Sequence, residues 1–328
     1  MLTILTLPIL GVPNQNREQL IRIARTAKRF VTQGIFNERI PAGHPAVMRS
    51  LEHGFKLNGL PVIFNPWFTK KLTTHIHVAA GLGVLRQAIY LKNKGYCKHL
   101  SCGPNIGVAG SEFSELLGNA AIDQVVSHCD WAMQVWERQQ PLIKRKKLSY
   151  WYAGVDHEFW RPPAEVTRSY ALIFDKRLRG DPPDRTELYE RFIKSLGIEV
   201  RKIERTSVKK YTHEQYRKLL HGALFMVGFT AYPESQGIAW VEAWAADVPT
   251  FIQERTLCSY DGQILHEQAT SCPMISESTG VLFSSFNEFK RVTKDFLLGQ
   301  LSFKPREWTL QNLTDEISAR NFFNQIVA

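Results

Sequence analysis

Short apolar runs alternate with amphipathic helical stretches along this chain, the alternation stops once, and then it resumes. That pattern constrains the fold more than any other feature, because parallel strands need helical crossovers that cover their apolar faces. In the first half the strands read as Leu2–Leu10, Pro61–Asn65, Ile76–Ala80, His99–Cys102 and Asp123–Ser127. The helices read as Arg17–Gln33, Pro45–Asn58, Leu82–Lys94 and Asp130–Arg138; the third carries Leu82, Leu85, Ile89 and Leu91 on one side and is closed by Gly95. The interruption is Trp151–Pro163, where Gly154 and the Pro162-Pro163 pair favour an irregular crossing. Afterwards the strands Tyr170–Asp175, Ile198–Ile203, Leu224–Gly228 and Thr250–Ile252 alternate with the helices Asp184–Leu196, His213–His221 and Ile238–Ala246. The implied fold class is α/β: two Rossmann-like domains, residues 1–152 and 153–328, facing a central cleft at the carboxyl ends of their strands. A length of 328 residues suffices for two such cores.

Composition removes several classes of protein. With 44% hydrophobic and 22% charged residues the chain folds rather than staying disordered. Its five cysteines form no C-x-x-C pair and no zinc-ligand spacing, which points to free thiols buried as small apolar residues in a reducing compartment. The apolar start, Met1–Leu10, is short, lacks a basic segment and is broken by Pro8, so it reads as a buried first strand of a cytoplasmic protein. No stretch approaches the ~20 apolar residues of a spanning helix. The net charge of +10 favours anionic partners: nucleic acid, an acidic membrane surface or phosphorylated ligands. The densest basic run, Lys144–Lys147, reads either as a solvated helix end or turn, or as a peripheral contact with an anionic membrane or its acceptor.

The segment Tyr232–Pro249 carries most of the chemistry. It follows a buried strand and opens a helix near Gln236 or Gly237, so the backbone N–H groups of that first turn form a seat for a diphosphate. Gly237 removes the side chain that would block close approach. Glu234 and Glu242 stand eight residues apart, a rise of ~12 Å along a helix, which lets two acceptor-only carboxylates grip hydroxyl pairs on either side of a diphosphate. A purely structural alternative stands beside this: Glu234 favoured by the helix dipole, and Glu242 buried or paired.

This segment resembles the Glu-x7-Glu motif of the retaining GT-B glycosyltransferases, family 4 (glycosyl transferases group 1). Glu234, Ser235, Gly237, Glu242, Ala243, Ala245 and Pro249 match it, while Trp240, Trp244 and Asp247 stand where Leu, Met and Gly are common. Ala153–Pro162 resembles the G-V-D-x-x-x-F-x-P segment between the domains of these enzymes, and Val125–Trp131 the strand-to-helix passage before it. Thr279–Phe283 and Pro305–Trp308 fit the C-terminal side, so the likeness runs over about residues 75–328.

The resemblance implies a glycosyltransferase that moves a sugar, with retention and without a cofactor or metal, from a UDP- or GDP-type nucleotide-sugar donor to a glycan or lipid-linked acceptor. It implies that Glu234 holds donor-sugar hydroxyls, that Ser235, Gln236, Gly237 and Ile238 seat the phosphates, and that Glu242 holds the ribose. The family places an Arg and a Lys after the first strand of the second domain to meet the leaving diphosphate. Arg177 matches the Arg, but Pro182 stands where the Lys would be, leaving Lys176, Arg179 or Arg185 as substitutes. By the same resemblance the last helix, about Asp315–Ile326, returns to the first domain.

The acceptor side is less legible. Candidates are His44, in the segment Gly43–Leu51, and Gly103, Pro104 and Asn105, in a loop after a strand. His99 reads as structural, and His75 and His77 are expected on opposite sides of a strand rather than as a metal pair. Gly81-Leu82-Gly83 starts a dinucleotide fingerprint, but Arg86 replaces its third glycine and a tight turn explains it. Two alternatives stand beside sugar transfer: a nucleotide-sugar-binding protein with impaired catalysis, motivated by Pro182, and a basic nucleic-acid-binding protein. The latter lacks a recognition motif, so no nucleic acid is expected as a partner.

Overall fold

A computed structural model of the chain describes residues 1–10, 12, 20, 24, 43–107, 111–176, 185–205 and 211–327. The expected helix Arg17–Gln33 therefore lies almost wholly outside the described residues. The chain divides into two compact units: the first runs up to Ala153 and takes in the chain again from Glu316, and the second contains Gly154–Asp315.

Among its described residues the first unit holds six strands: β1 (Leu2–Leu5), β2 (Val62–Phe64), β3 (His75–Ala80), β4 (His99–Asn105), β5 (Gln124–Ser127) and β6 (Lys147–Tyr150). All pair in parallel, in the order β2-β1-β3-β4-β5-β6. Its helices are α1 (Gly43–Leu57), α2 (Leu82–Asn93), α3 (Ser111–Gly118) and α4 (Asp130–Gln139). The first strand is shorter than its apolar run because Pro8 breaks the ladder, and Leu10 rejoins through a bridge to Phe68. Conversely β4 runs on through Gly103-Pro104-Asn105, expected as a loop. The basic run is divided: a 3₁₀ helix takes Pro141–Arg145, and Lys147 starts an edge strand whose exposure gave no apolar signal. The last helix, Asp315–Val327, buries Phe322 against the rings of Phe55, His77 and Trp151, and Trp151 Nε1 donates to Ser318 O at 2.9 Å.

The second unit holds β7 (Tyr170–Lys176), β8 (Glu199–Arg205), β9 (Ala223–Phe229), β10 (Thr250–Gln253), a hairpin of β11 (Cys258–Tyr260) and β12 (Gln263–His266), and β13 (Gly280–Phe283). Its helices are α5 (Glu187–Ser195), α6 (His213–His221), α7 (Ile238–Ala245), α8 (Phe286–Leu297) and α9 (Pro305–Asn312). The parallel sheet has the order β13-β10-β9-β7-β8. Its core is aromatic: Phe225 stacks on Phe251 at 4.9 Å, and Tyr189, Phe229, Phe283 and Phe289 pack together. Each such burial contributes roughly 1.5–3 kcal/mol. The hairpin was not expected, although Asp261-Gly262, both at positive φ, is the strongest short-range hairpin signal a chain can carry.

The crossing motif is knitted to the end of this unit. Val155 pairs with Thr314, and a Cβ on Gly154 would collide with the Thr314 carbonyl group. Asp156 Oδ1 accepts from Phe159 N at 3.0 Å, which shapes the turn that follows. Two tryptophans that vary from the family motif, Trp240 and Trp244, are fully buried core residues. All five cysteines are free and buried, and burial pushes the Cys102 and Cys129 thiols up to about 12. No described helix is long and apolar enough to cross a membrane.

Candidate functional site

Numbered within its own sheet, the second unit has the strand order 2-1-3-4-5, which reverses between β7 and β9. Ligands of α/β sheets bind outside the carboxyl ends of the strands at such a reversal. β7 ends there on Lys176, and β9 leads through Thr230 into the loop that carries Glu234. Lys176 Nζ donates to Glu234 Oε1, an ion pair only 26% and 20% exposed. The Glu234 backbone is held too, its N–H donating to Thr270 O at 3.0 Å.

Gly237 caps α7 with φ 75° and ψ 61°, a left-handed conformation that L side chains resist. A Cβ there would also overlap the Trp240 ring, so both backbone and space demand glycine. The helix it starts leaves first-turn N–H groups and the positive end of a dipole beside Glu234. Gln236 is buried there, and Ser235 and Ile238 are half-buried. After α7, Asp247 takes φ 60°, in the left-handed region where glycine is most at ease.

The helical argument for Glu242 needs correction. Since α7 starts at Ile238, only the last four of the eight steps from Glu234 are helical, a rise of ~6 Å rather than ~12 Å. Glu242 is 5% exposed and its Oε1 lies 3.1 Å from His213 Nε2. Of the proposed substitute cations, Arg185 is committed: its Nε donates to the fully buried Asp175 at 2.8 Å and its Nη2 to Lys176 O at 2.8 Å. Arg177, Arg179 and Pro182 lie outside the described residues. Among the described residues, Lys176 is the named cation that the structure brings to Glu234.

Sequence reasoning missed three residues here. Asp175 anchors Arg185; His213 meets Glu242; and Glu254 follows β10 at the same sheet edge. Burial raises the Glu254 pKa despite hydrogen bonds from Thr270 and Ser271, and its Oε2 is buried with no partner among the described residues. Its place at the carboxyl end of a parallel strand was the available signal. His213 had no such signal, because its partner lies on another helix.

Among the residues expected at the acceptor, Gly103 has φ 118° and its missing Cβ leaves room for Val126 O. His77, fully buried, bonds Gly103 O through Nε2 at 2.7 Å and Ser101 Oγ through Nδ1 at 2.8 Å. A carbonyl only accepts, so Nε2 carries the hydrogen and neutral Nδ1 accepts from Ser101. Burial lowers this histidine's pKa to about 4. His75 and His77 share a face, as residues two apart on a strand must, and differ in depth: His75 stacks on His99 at 4.6 Å. Asn105 Nδ2 is buried without a partner among the described residues. Pro104 precedes it in β4, and His44 lies in the first turn of α1. Among the described residues no group of three or more His, Cys, Asp or Glu could hold a metal ion.

A cavity of about 280 Å³ opens at the amino ends of β3 to β6, lined by His75, His99, Asp123 and Lys147. It lies at the opposite edge from the strand ends where ligands of such sheets bind, so it is not the candidate site. Lys146 turns inward: its Nζ donates to Asn119 O at 2.7 Å and Ile122 O at 2.9 Å.

Two parallel α/β units with this topology define the GT-B fold, the fold of a class of glycosyltransferases. Three solved structures illustrate the likeness. The Anabaena protein HepE, crystallised with UDP-glucose, superposes with TM-score 0.53 at 13% identity over 99% of each chain. A glycosyltransferase from Rickettsia africae gives 0.51 at 9%, over 98% of this chain and 96% of that one. TarM gives 0.51 at 14% over 77% of this chain, which spans only 54% of TarM. No protein-family model matches the chain, and no curated protein matches it in sequence.

Proposed function

We propose that this chain is a glycosyltransferase that takes a sugar from a UDP- or GDP-type donor and passes it, with retention, to a glycan or lipid-linked acceptor. The observation that carries this reading is the Lys176–Glu234 pair at the strand-order reversal, beside the Gly237-capped start of α7. Support also comes from the fold, which this chain shares with HepE, a protein crystallised with UDP-glucose and with UDP.

In this reading a donor separates the pair. Glu234 turns to the sugar hydroxyls, and Lys176 to the diphosphate whose charge grows as it leaves. Ser235 to Ile238 seat the phosphates, Glu242 faces the ribose, and Arg177 and Arg179 add positive charge. Gly103, Pro104, Asn105 and His44 belong to the acceptor side. No metal or cofactor is required, and the protein works in the cytoplasm, in contact with an anionic membrane surface when its acceptor is lipid-linked.

A second reading, donor binding without turnover, is favoured by one observation: Arg185 is held by Asp175, so it does not replace the family Lys lost at Pro182. A thermal-shift panel of UDP- and GDP-sugars, followed by hydrolysis and transfer to a lipid extract, separates the two. A selective shift with turnover supports transfer; a shift without turnover supports the second reading. No shift with any nucleotide sugar would sink both.

A further inference from the structure

His213 opens α6, Glu242 lies midway along α7, and their side chains meet in the interior of the second unit. Nε2 stands 3.1 Å from Oε1, with 2% and 6% of the two side chains exposed. The imidazole is fixed from several sides. Trp160 and Phe159 stand nearly edge-on to it at 5.5 and 6.3 Å, and a capping box between Thr212 and Gln215 fixes its backbone. The neighbouring Tyr216 hydroxyl is occupied by Ala239 O at 2.8 Å, and Arg217 covers the Phe159 ring at 4.6 Å. A buried pair of titratable groups adds little net stability compared with two apolar residues of the same volume. An aimed donor on a buried carboxylate therefore calls for a use of that carboxylate.

We infer that His213 is the positioning residue for Glu242. A carboxylate only accepts, so His213 Nε2–H donates to Oε1; this locks the carboxylate and leaves Oε2 for the ribose diol of a bound nucleotide. The inference rests on the nucleotide-sugar reading above and adds a residue that the Glu-x7-Glu motif does not contain.

Isothermal titration with UDP and 2′,3′-dideoxy-UDP, and with the corresponding GDP pair, tests it in the wild type, Glu242→Ala, His213→Phe and His213→Gln. The wild type should prefer the hydroxylated nucleotide by roughly tenfold. That ratio should fall to near one in Glu242→Ala and in His213→Phe, and recover in part in His213→Gln, which retains an N–H donor. A variant that merely loosens the fold weakens both ligands alike and leaves the ratio unchanged. If His213→Phe does not fold, an undiminished ratio in His213→Gln overturns the inference and an intermediate one supports it. A ratio kept in His213→Phe but lost in Glu242→Ala overturns the role of His213 alone. A wild-type ratio of one, with UDP or GDP bound, removes Glu242 from the ribose and leaves the nucleotide reading standing. No nucleotide binding at all overturns that reading and the inference with it.

Discussion

Lys176 and Glu234 are separated by 58 positions of sequence, and their side chains form an ion pair at the carboxyl edge of one sheet. β7 delivers the lysine and the loop before α7 delivers the glutamate, because β7 and β9 are neighbours in the sheet although β8 lies between them in the chain. Each charge is largely sheltered and each answers the other. A ligand that carried hydroxyls at one end and phosphate at the other would offer both a new partner.

Glu234→Gln should lower turnover strongly and leave nucleoside-diphosphate affinity nearly intact, since Gln keeps an acceptor but loses the charge felt by a developing oxocarbenium ion. If Arg177 meets the leaving diphosphate as proposed, Arg177→Ala should weaken both. The loss of a charge-assisted contact is worth ~1.5–3 kcal/mol, roughly tenfold to a hundredfold in affinity. Turnover measured beside UDP and GDP titration decides the matter; unchanged turnover in both variants would end the catalytic assignment.

Gly237→Ala should destabilise the protein by ~1–3 kcal/mol, from a left-handed backbone and a clash with the Trp240 ring. Denaturant unfolding measures the loss, which separates this position from Gly59, where a Cβ meets nothing within 4 Å. Equal losses at the two glycines would show that φ alone is responsible and that the Trp240 contact costs nothing.

His77 makes the first unit sensitive to acid. In the unfolded chain this ring takes up a proton near the ordinary 6.5, while in the folded protein burial delays protonation to about 4. Within that window the unfolded state binds more protons, so stability falls as pH falls, by up to ~3 kcal/mol from this group, and is complete above pH 6.5. His77→Gln removes the titration while keeping a donor for Gly103 O and an acceptor for Ser101. Its curve of melting temperature against pH should be flatter between 6.5 and 4; parallel curves would show that His77 is not the cause.

The basic run should split by function. Lys146→Gln should lower the melting temperature, since its Nζ satisfies two backbone carbonyls. Lys144→Gln with Arg145→Gln, both exposed, should leave stability unchanged and weaken binding to anionic vesicles. That binding should vanish at 1 M salt, where the screening length is ~3 Å. Absence of vesicle binding at low salt would return the run to a structural role.

Local rules made much of the fold readable. Tyr170–Asp175, Leu224–Gly228 and Thr250–Ile252 are predominantly apolar because parallel strands are covered on both faces, and each became a strand. His213–His221 matched its helix to the residue, bounded by a Thr212 cap and by Gly222. β6 escaped notice because an exposed edge strand carries no such run.

The order of residues by itself determined where most of the strands and helices fall, that a glycine stands at the start of a helix and that a glutamate precedes it. All of these depend on sterics and periodicity within a few residues. Only the tertiary structure decided that Lys176 meets Glu234, that Asp175 captures Arg185, and that His213 holds Glu242. Those pairings depend on which strands become neighbours, and strand order is set by burying the whole sheet rather than by any local stretch of chain.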